Sequence, residues 1–250
     1  MKKVNNCMKV FMLMATTMVL TSACYKNKLA EDQGQPQVKP VFHDYLSQDS
    51  VTKGPYTLIF TNYSPDFATD AGNKVKERMM DAFFKVYPEE ASIYNPQTAK
   101  KVHFNIDPSY TGAAETANAI TRFNPKLMLA IPTDVDVVTH EVMHIVQSYN
   151  GNNPAWLVEG IADYARYTLG VDNAAAGWYL PEYSADQNYT GSYKVTARFL
   201  AWLDKHVKAG IVKQLDAACR DNTYSEQTWK TLTGKTVDDL WAAYSNNPAL

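Results

Sequence analysis

The chain has 250 residues, 46% hydrophobic and 20% charged, enough apolar material to bury a sizeable core. Such a mix excludes wholesale disorder, a collagen-like repeat and a multi-span membrane protein. Lys and Arg number 24 against 26 Asp and Glu, a net charge of -2, so no basic field exists to hold a nucleic-acid backbone and nucleic acid is not expected as a partner.

Lys2, Lys3 and Lys9 precede an apolar run from Val10 to Leu20, which is followed by Thr21-Ser22-Ala23-Cys24. That run is too short to span a bilayer, and the order is that of a secretory signal. Small residues ending at a cysteine are similar to a bacterial lipoprotein signal. Residues 1–23 are therefore expected to be a signal peptide, with Cys24 acylated and the chain anchored by lipid to the bacterial cell envelope. Ordinary cleavage after Ala23 is the alternative, and either route exports the protein. Residues 24–54 are polar, with Gln33-Gly34-Gln35-Pro36-Gln37, and read as a flexible tether. Residues 55–250 are left as the folded domain, with Cys219 its sole cysteine and no disulfide framework.

Within the domain, Tyr56 to Asn62 reads as a strand. Ala71 to Tyr87 reads as a helix with Val75, Met79, Phe83 and Val86 on one face, stopped by Pro88. Val102, Phe104 and Ile106 alternate as a second strand, and Lys126 to Ile131 is a third candidate ending at Pro132. Helices are expected over Asp134 to Tyr149, Ala155 to Leu169, Tyr193 to Val207 with Ile211 to Cys219 behind it, and Val237 to Tyr244 capped by Thr236. A small sheet with one helix, followed by a mainly helical half, is an α+β domain with its site at the junction.

His140-Glu141-Val142-Met143-His144 is H-E-x-x-H. Two imidazoles one turn apart point the same way and can bind one Zn2+, with Glu141 as general base. At about 100° per residue, Val135, Val138, Val142, Ile145 and Tyr149 share one stripe, while His140, His144 and Gln147 gather on the opposite side. Burying two imidazoles and a glutamate without partners would be costly, which argues against a plain core helix.

A catalytic zinc needs a third protein ligand and an open position. His43 lies in the tether, His103 on a strand and His206 on a distant helix. Glu159 is the better candidate, because the Gly151-Asn152-Asn153-Pro154 turn lets the next helix return and brings Glu159 opposite the histidines. Asp163, one turn on, is placed to accept the free N–H of a ligating histidine. Asp136, four residues before His140, competes for that role, and spacing does not decide between them.

Thr139 to Gln147, Trp156 to Tyr164 and Tyr193 to Leu200, with Leu232 to Val237 and Leu240-Trp241, resemble the basic secretory protein family, plant proteins with bacterial relatives grouped with the zincin-type metallopeptidases. Leu157-Val158-Glu159-Gly160 is also similar to the third-ligand helix of the aminopeptidases related to thermolysin, and the spacing of Glu159 and Asp163 is similar to the gluzincin pattern. The resemblance implies a zincin-like fold, one zinc held by His140, His144 and Glu159, and Glu141 as base. The acidic charge balance departs from the family's "basic" name. Glu159 also follows His144 more closely than in thermolysin-like enzymes, which implies a tighter connecting loop.

The expected activity is zinc-dependent hydrolysis of peptide bonds in a peptide or protein substrate outside the cytoplasm. The oxyanion needs a donor beyond the metal, and Tyr193 is the first candidate, with Tyr164 and Tyr183 behind it. A non-catalytic surface lipoprotein that keeps a zinc and binds glycan or protein is the alternative. An intact Glu141 argues against it, since a structural site needs no base. Gly234-Lys235-Thr236 reads as a turn and helix cap, Cys219 as core, and Trp178, Tyr179, Tyr183 and Tyr189 as either cleft lining or loop packing.

Overall fold

The computed structural model describes residues 44–250; the expected signal peptide, Cys24, His43 and the first part of the expected tether lie outside the described residues. Among the described residues there are five strands and eight α-helices. In chain order they are β1 Ser47–Lys53, β2 Tyr56–Asn62, α1 Asp70–Ile93, β3 Lys101–Ile106, β4 Ala114–Ala117, β5 Ile120–Phe123, α2 Pro125–Ala130, α3 Val137–Gln147, α4 Ala155–Leu169, α5 Tyr193–His206, α6 Ile211–Arg220, α7 Glu226–Thr233 and α8 Val237–Asn246. This is the expected α+β architecture, a small sheet leading into a helical half.

The sheet order is β1-β2-β3-β5-β4. The three inner strands run parallel, and β1 and β4 close the two edges antiparallel. Tyr56, Leu58 and Phe60 on β2 and Val102, Phe104 and Ile106 on β3 are all buried, as strand alternation requires of one packed face. Phe104 sits at the centre, its ring 6.3 Å from Phe60, 5.5 Å from Phe83 of α1 and 5.0 Å from Phe123. Aromatic burial of this kind supplies stability without any disulfide.

Four sequence expectations change. First, β1 lies inside the stretch expected as tether: it pairs with β2 from Ser47 opposite Asn62 to Lys53 opposite Tyr56, so the folded part begins ahead of Pro55. Its polar, largely exposed sequence is that of an edge strand and carries no hydrophobic signal. Second, α1 runs through Pro88 to Ile93. Proline removes one helical hydrogen bond, but Glu90 and Ala91 beyond it are fully buried, and packing holds the last turn.

Third, Lys126 to Ile131 is helix α2, not a strand. Asn124 Oδ1 accepts from the N–H groups of Lys126 and Leu127 at 3.0 and 3.4 Å, and Pro125 occupies the first turn. This local cap decides the conformation of a short apolar run that periodicity leaves ambiguous. Fourth, the β4–β5 hairpin and α7 were not foreseen. The hairpin turns on Asn118 and Ala119, with φ of 51° and 60°, the left-handed pair a tight hairpin needs but without its usual glycine.

Candidate metal centre and its cleft

Helix α3 is buried along nearly its whole length. Val138, Val142 and Ile145 face the core as the stripe predicts, and the opposite side presents His140 and His144. The helix ends at Ser148, whose backbone is left-handed (φ 47°), ahead of the Gly151–Pro154 turn expected to stop it. Carbonyls of its last turn are held from outside: Asn95 Nδ2 donates to Val146 O at 2.8 Å and Thr98 Oγ1 to Ile145 O at 3.2 Å.

Helix α4 returns antiparallel to α3. His140 meets Asp163 at the far end, and Gln147 Nε2 donates to Val158 O at the near end at 2.9 Å. This pairing brings Glu159 opposite both histidines. His140 Nδ1 is 2.7 Å from Asp163 Oδ1, and His144 Nδ1 is 2.8 Å from Gln147 Oε1. Each acceptor favours hydrogen on Nδ1, which turns the Nε2 lone pair inward.

The two Nε2 atoms are 3.2 Å apart, and Glu159 Oε2 lies 3.2 Å from that of His140 and 3.6 Å from that of His144. Glu159 Oε2 is enclosed with no hydrogen-bond donor aimed at it. These separations match the edges, roughly 3.4 Å, of a tetrahedron whose centre lies about 2.1 Å from each corner. Two imidazole nitrogens and one carboxylate oxygen fit zinc in chemistry as well as in size.

Burial alone would lower the pKa of His144 and raise that of Glu159. Their mutual attraction, with His140 also acting on the carboxylate, reverses both: His144 titrates above its ordinary range and Glu159 is held at about 2. A proton on His144 and a metal ion thus compete for one place.

Around this centre, Glu141 is almost completely buried, and its Oε2 accepts from Thr116 Oγ1 of β4 at 2.7 Å. Tyr193, at the start of α5, lies with its ring 6.1 Å from that of His140 and 22° from parallel. Ser192 and Tyr193 both have positive φ, 66° and 48°, a strained pair of the kind that persists where surrounding structure demands it. A cleft of about 700 Å³ opens beside His144 and Glu159, bounded on one side by edge strand β4 and on the other by the loop from Ser148 to Asn153.

Between the two candidate partners for His140, the geometry selects Asp163. Asp136 accepts instead from Thr139 Oγ1 at 2.9 Å and from the N–H groups of Val171 and Asp172, each at 2.6 Å, pinning the segment after α4. His103 and His206 stand apart from the centre, the latter near Ala249 O at 2.8 Å. Cys219 is fully buried, and burial pushes its thiol up to about 12. Tyr183 and Tyr189 pack against Trp241, and Trp178 lies under Arg166 and Lys194, so these three serve packing, whereas Tyr179 of the same set is exposed. Gly234 and Thr236 form the expected turn and cap, the latter reciprocated by Asp239.

Three residues escaped the sequence reading. Gln147 lies on the histidine face, and its position three residues after His144 is the one sequence signal for its bond to that imidazole. Thr116 sits on a strand that was not anticipated. Glu90 is fully buried with neither carboxylate oxygen hydrogen-bonded, and burial raises its pKa well above the ordinary range.

The family model of peptidases of plants and bacteria matches residues 73–244, and the chain belongs to that family. No curated protein matches it. Among solved structures it is similar to a two-domain M1 zinc metallopeptidase mutant bound to L-tryptophan, at 16% identity over 82% of this chain and 52% of that one, TM-score 0.48. It is also similar to an M1 zinc metallopeptidase from Deinococcus radiodurans, at 15% identity over 81% of this chain and 51% of that one, TM-score 0.42. The chain thus spans about half the length of these structures.

Proposed function

We propose that this peptidase is a zinc-dependent enzyme that hydrolyses peptide bonds outside the cytoplasm. The observation that carries the reading is the convergence of His140 Nε2, His144 Nε2 and the donor-less Glu159 Oε2 on one point at the wall of a cleft. Bound there, zinc supplies positive charge that acidifies a water and polarises a carbonyl.

The chain's own groups do the rest. Glu141 takes the proton of the attacking water and returns it to the departing amine. Asp163 and Gln147 hold the two imidazoles by their Nδ1 atoms, so that their Nε2 atoms need no reorganisation. Tyr193 donates to the oxygen on which charge develops, a role supported by its place beside His140. Strand β4 ends the sheet order, and an extended peptide lying along its outer edge would run past the centre.

The basic and apolar segment of residues 1–20 and the small residues before Cys24 support export to the bacterial envelope and a lipid anchor at Cys24.

The test is cleavage of an unbiased peptide library by the detergent-purified full chain beside Glu141→Gln, read by mass spectrometry. Cleavage by the parent alone is expected. Silence from both, with zinc bound, would replace the peptidase with a binding protein.

A further inference from the structure

Thr116 donates to Glu141 Oε2 at 2.7 Å, and its oxygen is also 2.9 Å from Thr121 Oγ1, directly opposite on β5. A threonine hydroxyl has one hydrogen, and a carboxylate only accepts. With Thr116 committed to Glu141, Thr121 must donate to Thr116, and the three groups form a directed chain from sheet to helix. Thr121 is fully buried and Glu141 nearly so, while Thr116 between them is half-buried at the wall of the cleft, so both outer members of the chain are shielded from water and their bonds to Thr116 gain from it.

We propose that Thr116 is a positioning residue for the reaction. It fixes the rotamer of Glu141 from the strand that borders the cleft, so that one element sets both the line of the substrate and the placing of the base. The proposal rests on the peptidase reading above. A loose glutamate would have to be ordered in each turnover, whereas one held from β4 is already in place when the peptide arrives. The bond comes from a strand and not from α3 itself, so the sheet adds a hold on Glu141 to whatever its own helix supplies.

The test compares Thr116→Val, which keeps the branched shape and loses the donor, with Thr116→Ser, which keeps the donor, in the full zinc-loaded chain. Loss of a hydrogen bond to a charged group predicts a kcat about 10- to 100-fold lower for Thr116→Val with KM within about 2-fold. Thr116→Ser should stay within about 3-fold of the parent. Thr121→Val, which removes the second donor, should fall between them.

A second readout is independent of turnover. In metal-free protein carrying 13C-carboxyl glutamate, the resonance lost in Glu141→Gln should shift in Thr116→Val and return in Thr116→Ser. If Thr116→Val does not fold, Thr121→Val is read in both ways. Parental kcat in Thr116→Val, a serine variant as slow as the valine one, or an unmoved resonance overturns the proposal. A parent that cleaves no peptide while the resonance still shifts overturns the peptidase reading, and with it the positioning role.

Discussion

Asp163 and His140 lie 23 residues apart in sequence and are joined by a 2.7 Å contact between Oδ1 and Nδ1, both side chains buried. An anionic acceptor at this point fixes the histidine tautomer and makes Nε2 a better ligand. Asp163→Asn keeps the shape and removes the charge. Zinc affinity should fall about 10- to 100-fold, read by competition with a chromophoric chelator. Unchanged affinity would show that the contact does not serve the metal.

Helices α4 and α5 meet at Gly160, where a Cβ would fall 2.2 Å from Thr196 Cγ2. Glu159 stands on one side of this contact, and Tyr193 is three residues before Thr196. Gly160→Ala should therefore destabilise the chain by roughly 1–3 kcal/mol through overpacking. It should also move the Tyr193 end of α5 relative to the ligands. Denaturant unfolding measures the first effect, and kcat at saturating zinc the second; an alanine variant with parental stability would mean that the helices separate without cost.

Glu90 tests a different balance. Its folded pKa is raised well above 4.5 by burial, so above about 4.5 the unfolded chain sheds a proton that the native state retains. Stability must then fall as pH rises beyond that point. Glu90→Gln removes the titration. It should be more stable than the parent at pH 7, by about 1–3 kcal/mol, with the gain shrinking towards pH 4. Urea unfolding of both proteins from pH 4 to 8 would show this, and a constant difference across the range would sink the argument.

Strand β1 predicts the outcome of truncation. A chain starting at Pro55 loses every β1–β2 pair and the 2.9 Å ion pair of Asp49 with Lys76 on α1, and it bares the edge of β2. It should unfold at a lower temperature than a chain starting at residue 44 and aggregate more readily. Thermal scans with light scattering compare the two, and equal behaviour would return β1 to the role of tether.

Much of the helical half is legible because its signals are local. The apolar stripe and the H-E-x-x-H spacing locate α3, a proline and a run of good helix formers bound α4, and Thr236 caps α8. The convergence of His140, His144 and Glu159 is legible for the same reason, since the two histidines share a helix and Glu159 needs just one turn back. What stayed hidden is long-range or polar. β1 and β4 bury little apolar surface, so alternation does not mark them. The choice of Asp163 over Asp136 depends on how two helices pair, and the link from Thr116 to Glu141 crosses 25 residues. α2 differs from the expected strand because a six-residue apolar run fits either conformation, and the cap of Asn124 and Pro125 decides it.

The bolts from Asn95 and Thr98 onto the final carbonyls of α3 separate two properties that many enzymes inherit together. The turn carrying His144 is held by these two residues and by Ser148 Oγ, which donates to Ile145 O at 2.7 Å, while the rest of the loop, up to Asn153, forms a wall of the cleft. Side chains beyond Ser148 can be exchanged while the helix that carries His140 and His144 keeps these bonds, so the wall of the cleft is free to vary beside a cluster that stays in place.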